Sequence, residues 1–529
     1  MISSLRTILA LLVLLATIAV GSAQQPEPVV KPGEASPAAS QPAPPPKYPE
    51  PETVRTAMKN AAAFFRSNLS VAGGYAWSWP TDLSESQGEN RSAPSLIMIQ
   101  PPGTPSVGQT MLEAYIATGD PLFLAGAREA ADALMWCQLA SGGWSADFDF
   151  APQTARRYHY RRDVDAGDTE PGKRSARSSL DDNKTQSALR FLFHLDQETG
   201  GKDPRLSHAV SYGWKGLLTA QAPNGGWPQH FAGPADPDAP VTKASFPVEW
   251  SPTFPAIDYT RHYTLNDNNL QNVMRLLLEA HELFPAGSHY LDAAKRLGDF
   301  LLLAQMPEPQ PAWAQQYDRD MHPTWARKFE PPAICSIESL GAMRALHELW
   351  LVTGDNKYID SLAAALNWFE RSRLAGKDEP TWARFYELET NQPLYCKAGT
   401  YEVTYDDSDL PTHYGFQVSG SMARSLEKMR NAISEPRDEQ LAHRQRDAER
   451  ASPSSEKGWS DRARKLASSA RNALKEQNKQ GYWIEDDLID AGEFVRHMRA
   501  LTDYLEAAED GAATFEAVRQ NEASPSPPD

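Results

Sequence analysis

Between about residues 53 and 510 the apolar positions of the chain recur three and four apart, as at Met111, Leu112, Tyr115 and Ile116. That spacing puts them on one face of a helix. The helices come in pairs. Four stretches share one plan: a helix, a TGD-like turn, a second helix and a tryptophan-bearing loop. They begin at Val107, Thr185, Asn269 and Glu338 and close on Trp144, Trp227, Trp313 and Trp382. No long alternating runs mark strands. A helical hairpin cannot bury its apolar face alone, so successive hairpins must stack. A fifth pair spans Gln417 to Arg430 and Arg462 to Gln477, split by a very polar insert near Arg437–Lys457. One helix is left at each end, Val54–Ser67 and Phe494–Ala507, and pairing these two closes a ring. The predicted fold is all-α: an α/α toroid of about six helical hairpins with long tryptophan loops on one face. An open helical solenoid is the alternative.

The ends read differently. Arg6 precedes an apolar run from Ile8 to Val20, followed by Gly21, Ser22 and Ala23. A charged start, a short apolar core and a small-residue cleavage site predict a secretory signal over residues 1–23. The run is too short to span a bilayer, so no membrane span is expected after cleavage. Residues 24–52 are rich in proline with Ala, Ser, Gln and Glu, an extended tether. The signal predicts an exported protein, periplasmic or extracellular, and since no cysteine follows it to carry a lipid, a lipoprotein is not expected. Residues 53–510 form the predicted toroidal domain, and 511–529 a second frayed tail.

Charge narrows the partners. Across 529 residues, 52 Lys and Arg face 69 Asp and Glu, a net charge of −17. That balance argues against nucleic acid and anionic membrane surfaces, which need clustered positive charge, yet it allows a local basic groove. The three cysteines, Cys137, Cys335 and Cys396, lie far apart and form no metal-binding spacing.

In a toroid the loops after the helix pairs converge on one face, where ligand groups belong. Two loops there are unusually polar: Leu180-Asp181-Asp182-Asn183 before the second repeat and Leu265-Asn266-Asp267-Asn268 before the third. Helix capping explains one acidic residue in each; several exceed it. Oxygen donors without a Cys or His cluster suit a hard cation such as Ca²⁺. The pattern Gln-x-x-x-Gly-x-Trp occurs at Gln138–Trp144 and Gln221–Trp227. It reads first as packing between hairpins, with a sugar-stacking platform as the alternative. Two arginines sit in similar contexts, Trp325-Ala326-Arg327-Lys328-Phe329-Glu330 and Trp382-Ala383-Arg384-Phe385-Tyr386-Glu387. Each pairs with its nearby Glu or clamps a ligand carboxylate through the planar guanidinium fork. The basic insert Arg156–Arg177 reads as a solvated, disordered loop, or else as part of the cleft lining.

Taken together, GGWPQ at Gly225–Gln229, the Asp-rich helix start before Thr185, Asn266-Asp267-Asn268, and the two arginine segments resemble the pectate lyases of polysaccharide lyase family 10. The likeness covers roughly Ser179 to Thr404, in the family's order. It implies a helical toroid and Ca²⁺-assisted β-elimination of polygalacturonate or a related polyuronate, an acidic polysaccharide; the chain is expected to be a monomer. It implies Asp181 and Asp267 as Ca²⁺ ligands, with Asp182 the alternate of Asp181 in register. Arg327 and Arg384 match the substrate-clamping arginines. The positions expected to face substrate are Asp182, Asn183, Asn266, Asn268, Trp227, Gln316 and Tyr317. β-Elimination removes the proton beside a uronate carboxylate, and the charge that builds there needs cations aimed at it.

One position departs from the family. Its proton-abstracting arginine lies just beyond the Trp-Ala-Arg-Phe-Tyr segment, where this chain has Cys396-Lys397-Ala398-Gly399. Lys397 is the nearby cation, and a buried lysine can act as base; an ordinary solvated lysine is the alternative. Three other functions compete: a non-catalytic binder of acidic polysaccharide that has lost the base, a glycoside hydrolase using Glu330 or Glu387, and a triterpene-type cyclase. The last lacks an Asp-x-Asp-Asp proton donor.

Overall fold

Four tryptophan loops, those of Trp144, Trp227, Trp313 and Trp483, are closed by the same pair of glutamine hydrogen bonds, which join one outer helix to the next. In the computed structural model, which describes residues 48–89, 91–512 and 514–515, six helical hairpins stack around an axis. The outer helices are α1 (Pro51–Phe64), α3 (Pro121–Cys137), α5 (Pro204–Thr219), α7 (Ser288–Ala304), α9 (Leu362–Arg371) and α12 (Glu456–Glu476). The inner helices are α2 (Thr104–Thr118), α4 (Lys184–Glu198), α6 (Asn269–Leu283), α8 (Ser336–Thr353), α10 (Ser421–Ser434) and α13 (Ala491–Asp510). The TGD turns work as expected of their residues. Gly119 (φ 68°) takes the left-handed position that ends α2, and the Asp120 side chain accepts from Leu122 N to cap α3.

Gln138 follows α3 and donates through Nε2 to Gly142 O at 2.8 Å and to Ala209 O on α5 at 3.0 Å. Gln221 does the same to Gly225 O and to Ala293 O on α7. The indole N–H of Trp144 donates back to Leu134 O, and that of Trp227 to Leu217 O. One side chain thus ties off its own helix and bonds the next outer helix. Gln477-x-x-x-Gly481-x-Trp483 repeats the pattern: Gln477 Nε2 donates to Gly481 O and to Ala57 O on α1, 3.0 Å each. The last hairpin is thereby latched to the first helix, while α13 packs on both α1 and α2. The ring is closed, by the two terminal helices that the sequence left unpaired.

The folded part is wider than 53–510. The Tyr48 ring lies 5.4 Å from that of Phe515, and Tyr504 donates its hydroxyl to Pro49 O at 2.6 Å. The predicted signal, most of the tether and the end of the tail lie outside the described residues. Both polar inserts are ordered. Residues 437–451 form helix α11 (Arg437–Ala451) between the two members of the fifth pair. In the 156–177 segment, Arg161 donates to Gln138 Oε1 at 2.7 Å, and the Arg162 guanidinium stacks on the rings of Trp136 (3.7 Å) and Tyr160 (3.9 Å). The disordered-loop expectation fails because these arginines find buried acceptors and aromatic faces. No described helix is long and apolar enough to cross a membrane.

Candidate active site

The starts of inner helices α4, α6 and α8 lie together at one end of the ring, and short ladders brace the loops that feed them. Ser178 and Ser179 pair with Phe231 and His230; Tyr263 and Thr264 pair with Tyr317 and Gln316. The two polar turns then adopt one conformation. Asp182 and Asn183 have φ of 46° and 62°; Asp267 and Asn268 have 51° and 58°. Two successive left-handed residues are uncommon outside glycine, and Asp and Asn tolerate them best. Each such residue costs of order 1 kcal/mol or more. The equivalence pairs Asp182 with Asp267, Asn183 with Asn268, and Asp181 with Asn266.

The turns face each other. Among the described residues, Asp181, Asp182 and Asp267 form the group suited to a metal ion, each offering an oxygen within 4.8 Å of the others. Asn266 donates its side-chain amide to the Asp267 carboxylate. The buried Oδ1 atoms of Asp181 and Asn266 have no hydrogen-bond partner. An all-oxygen, carboxylate-rich set with unused lone pairs fits a hard divalent cation. Lys184, at the first position of α4, reaches back into the same group. Its Nζ lies 3.0 Å from Asp181 Oδ2 and 3.4 Å from Asp182 Oδ2.

The charges of the site are mutually felt. Burial, with the charges of Asp182 and Asp181, pushes the Asp267 carboxyl up to about 6 against the pull of Arg384 and Arg327. Burial and Asp181 likewise raise Asp182, with Lys184 and Arg327 opposing. Two arginines therefore stand in the field of three aspartates. Arg384 is 9 % exposed, stacks on the Tyr414 ring at 4.2 Å, and leaves its buried Nε without an acceptor. Its guanidinium is 3.8 Å from Glu338 Oε1 on α8. Burial, with the nearby Asp267 charge, pushes Glu338 up to about 8 against the pull of Arg384. Arg327 is held by Glu330 through Nε (2.9 Å) and NH2 (2.5 Å), and Tyr414 donates to the same carboxylate at 2.9 Å. Burial raises Glu330, but the hydrogen bonds of Arg327 more than offset it.

The structure sorts the residues singled out in the sequence. Asp181, Asp182, Asp267, Arg327 and Arg384 come together, with Asn183, Asn266 and Asn268 in the same two turns. Four assignments need correction. Trp227 is fully buried, with its indole N–H engaged by Leu217 O, so it packs hairpins and offers no face to a sugar. Tyr317 is also fully buried; its hydroxyl donates to Ala304 O and accepts from Ala314 N, both at 2.7 Å. Gln316 is 1 % exposed and donates to Thr324 O, bracing a loop rather than lining a surface. Lys397 sits on an exposed hairpin with its ammonium 3.3 Å from Glu402, so the burial that would make it a base is absent.

Arg327 and Arg384 are not equivalent positions either. Trp313-Ala314-Gln315-Gln316-Tyr317 superposes in role on Trp382-Ala383-Arg384-Phe385-Tyr386, because Tyr386 accepts from Ala383 N as Tyr317 does from Ala314 N. Arg384 thus takes the place that Gln315 takes one hairpin earlier, and Arg327 comes from the longer loop between. Three contributors went unassigned in the sequence: Lys184, Glu338 and Tyr414. Lys184 was legible as the cation next to the Asp-Asp-Asn turn. Tyr414 gave no signal, lying far beyond the motif it supports.

Residues 138–381 match the pectic acid lyase family. The match contains both aspartate turns, Lys184, Arg327 and Glu338, and ends three residues short of Arg384. It bears out the resemblance read from the five sequence segments. No curated protein matches the chain. Among solved structures, the chain is similar to a family 10 polysaccharide lyase from Cellvibrio cellulosa in complex with trigalacturonic acid, at 18% identity and a TM-score of 0.42, covering 62% of this chain and 98% of that one. It is also similar to a GH76 α-mannanase from Bacteroides thetaiotaomicron, at 10% identity and a TM-score of 0.39, covering 88% and 97%.

Proposed function

We propose that this protein is an exported lyase of the pectate lyase type, cleaving polygalacturonate or a related polyuronate by β-elimination with the help of Ca²⁺. One observation carries the reading: three aspartates from two matching turns share a point that also lies in the field of Arg384 and Arg327. Hydrolysis of a neutral sugar chain needs no such gathering of cations; a reaction that builds charge on a carboxylate does. The family match over residues 138–381 supports it.

Asp181, Asp182 and Asp267 would hold the cation, which when bound supplies positive charge to a uronate carboxylate. Arg384 keeps a buried donor free for a second carboxylate oxygen. Tyr414 and Glu338 fix its place, the first by stacking on its face and the second from 3.8 Å away. Arg327, committed to Glu330 and half-exposed, contributes field and rim contact. The proton beside the carboxylate passes to a base drawn from solvent, its electron pair forms the double bond in the uronide as the bond to the glycosidic oxygen breaks, and the departing oxygen takes up a proton from water. Lys397 takes no part in this scheme.

A hydrolase is the second reading, because Asp267 and Glu338 are both pushed up toward the range of a general acid. The two differ in product. Mass spectrometry of polygalacturonate digests run in heavy-oxygen water separates them: elimination gives fragments lighter by one water at the non-reducing side, with no label; hydrolysis gives saturated, labelled ends. Saturated labelled ends would remove the lyase.

A further inference from the structure

Lys184 is the one side chain that enters the aspartate group from within and carries a charge of the same sign as the cation the group suits. Its residue is 5 % exposed, and its Nζ contacts a carboxylate oxygen of both Asp181 and Asp182. The contacts are local and fixed. Lys184 opens α4, and its carbonyl accepts from Ser187 Oγ in the first helical turn at 3.1 Å. Asp267, across the cleft, has no ion pair among the described residues, and its carboxylate accepts from the neutral side-chain amide of Asn266. The group is therefore lopsided: one turn has a built-in counter-charge and the other has none. The equivalent of Lys184 in the second turn is Asn269, a neutral residue whose buried Oδ1 and Nδ2 have no partner.

We propose that Lys184 is a tethered cation that competes with a divalent ion for Asp181 and Asp182 and sets the ion affinity of the site. Without an ion it holds two like charges together, so the turn keeps its left-handed geometry. When an ion enters, the ammonium shares or yields the two oxygens it contacts, and binding is weaker by that repulsion. This rests on the cation site of the proposed function and adds the residue that tunes it. A unit charge a few ångströms from a divalent ion, partly screened, changes affinity by roughly tenfold or more.

The test is isothermal titration of Ca²⁺ into the full chain, wild type and Lys184→Met, in the absence of polysaccharide. Lys184→Gln serves as the second variant, keeping a polar donor if the thioether fails to fold; circular dichroism establishes folding for each. The expected result is at least tenfold tighter Ca²⁺ binding by either neutral variant, together with a lower melting temperature before Ca²⁺ and a larger rise on adding it. Tight binding by a variant where the wild type shows none gives the same support, since the tether then prevails outright. Equal or weaker binding by folded variants overturns the tether and leaves the cation site standing. No binding by any of the three overturns both.

Discussion

Replacing Arg384 by alanine perturbs the site at its most enclosed cation. The residue is 9 % exposed, with Tyr414 against its face, Glu338 at 3.8 Å and Asp267 in its field. Its free Nε and adjoining N–H groups form a preset fork for a carboxylate, and such a donor aimed at developing charge is worth about 10²–10³ in kcat. The loss should therefore fall on kcat more than on KM, because the interaction strengthens as the carboxylate gains charge. Arg384→Lys keeps the charge without the fork and should recover only part of the rate. Steady-state kinetics on polygalacturonate, followed by ultraviolet absorbance of the unsaturated product, measures both. A kcat for Arg384→Ala within about threefold of wild type would refute the assignment.

Four further outcomes follow from the same geometry. Lys397→Ala should leave kcat and KM within about twofold, because its ammonium is exposed and paired with Glu402; a loss of a hundredfold would restore it as base. Trp227→Phe should lower stability by about 1–2 kcal/mol in urea denaturation, through the lost bond to Leu217 O, and leave KM unchanged; a raised KM with unchanged stability would make it a sugar contact. Asp267→Asn should stabilise the metal-free protein by up to about 3 kcal/mol at pH 7.5. The sign follows from its raised value: the native carboxyl, at about 6 against 3.8, favours folding below pH 4 and loses that advantage as pH rises through 6, so the gain should vanish at pH 4. Glu279, fully buried between Arg190 (2.7 Å) and His194 (2.5 Å), is pulled down to about 2 by the Arg190 charge and its hydrogen bonds with both residues, against its burial. Its contribution should persist above pH 4.5 and fade toward pH 2, and Glu279→Ala should cost about 3–5 kcal/mol by leaving the Arg190 guanidinium unpaired and His194 without its acceptor; a loss under about 1 kcal/mol by chemical denaturation would contradict that.

Much of the ring was legible from periodicity because each hairpin repeats one local solution. A left-handed glycine ends the inner helix in the TGD turns at Gly119 and Gly354, and a glutamine with a tryptophan ties the outer one to its neighbour. The closing repeat at Gln477–Trp483 obeys the same pattern and marks the seam. Of the site, the aspartates and arginines were readable because their residue types exceed what capping and surface pairing require. Tyr317, Gln316 and Trp227 misled for a physical reason: a polar tip on a large side chain reads as a ligand group, yet buried tips can be satisfied by backbone carbonyls. Lys397 misled by position alone. Burial, which decides whether an amine is a base or a surface cation, depends on hairpins distant in sequence. Glu338 shows the converse, a plain helix-start glutamate pushed up to about 8 by the ring closing around it.

In the proposed function the aspartate turns and Arg384 serve Ca²⁺-assisted elimination on a polyuronate. The most direct measurement is ultraviolet absorbance of polygalacturonate incubated with the purified protein, first with Ca²⁺ and then with a chelator. The account predicts an unsaturated uronide that accumulates with Ca²⁺ and stops on chelation. New reducing ends without ultraviolet absorbance, or no product at all, would contradict it.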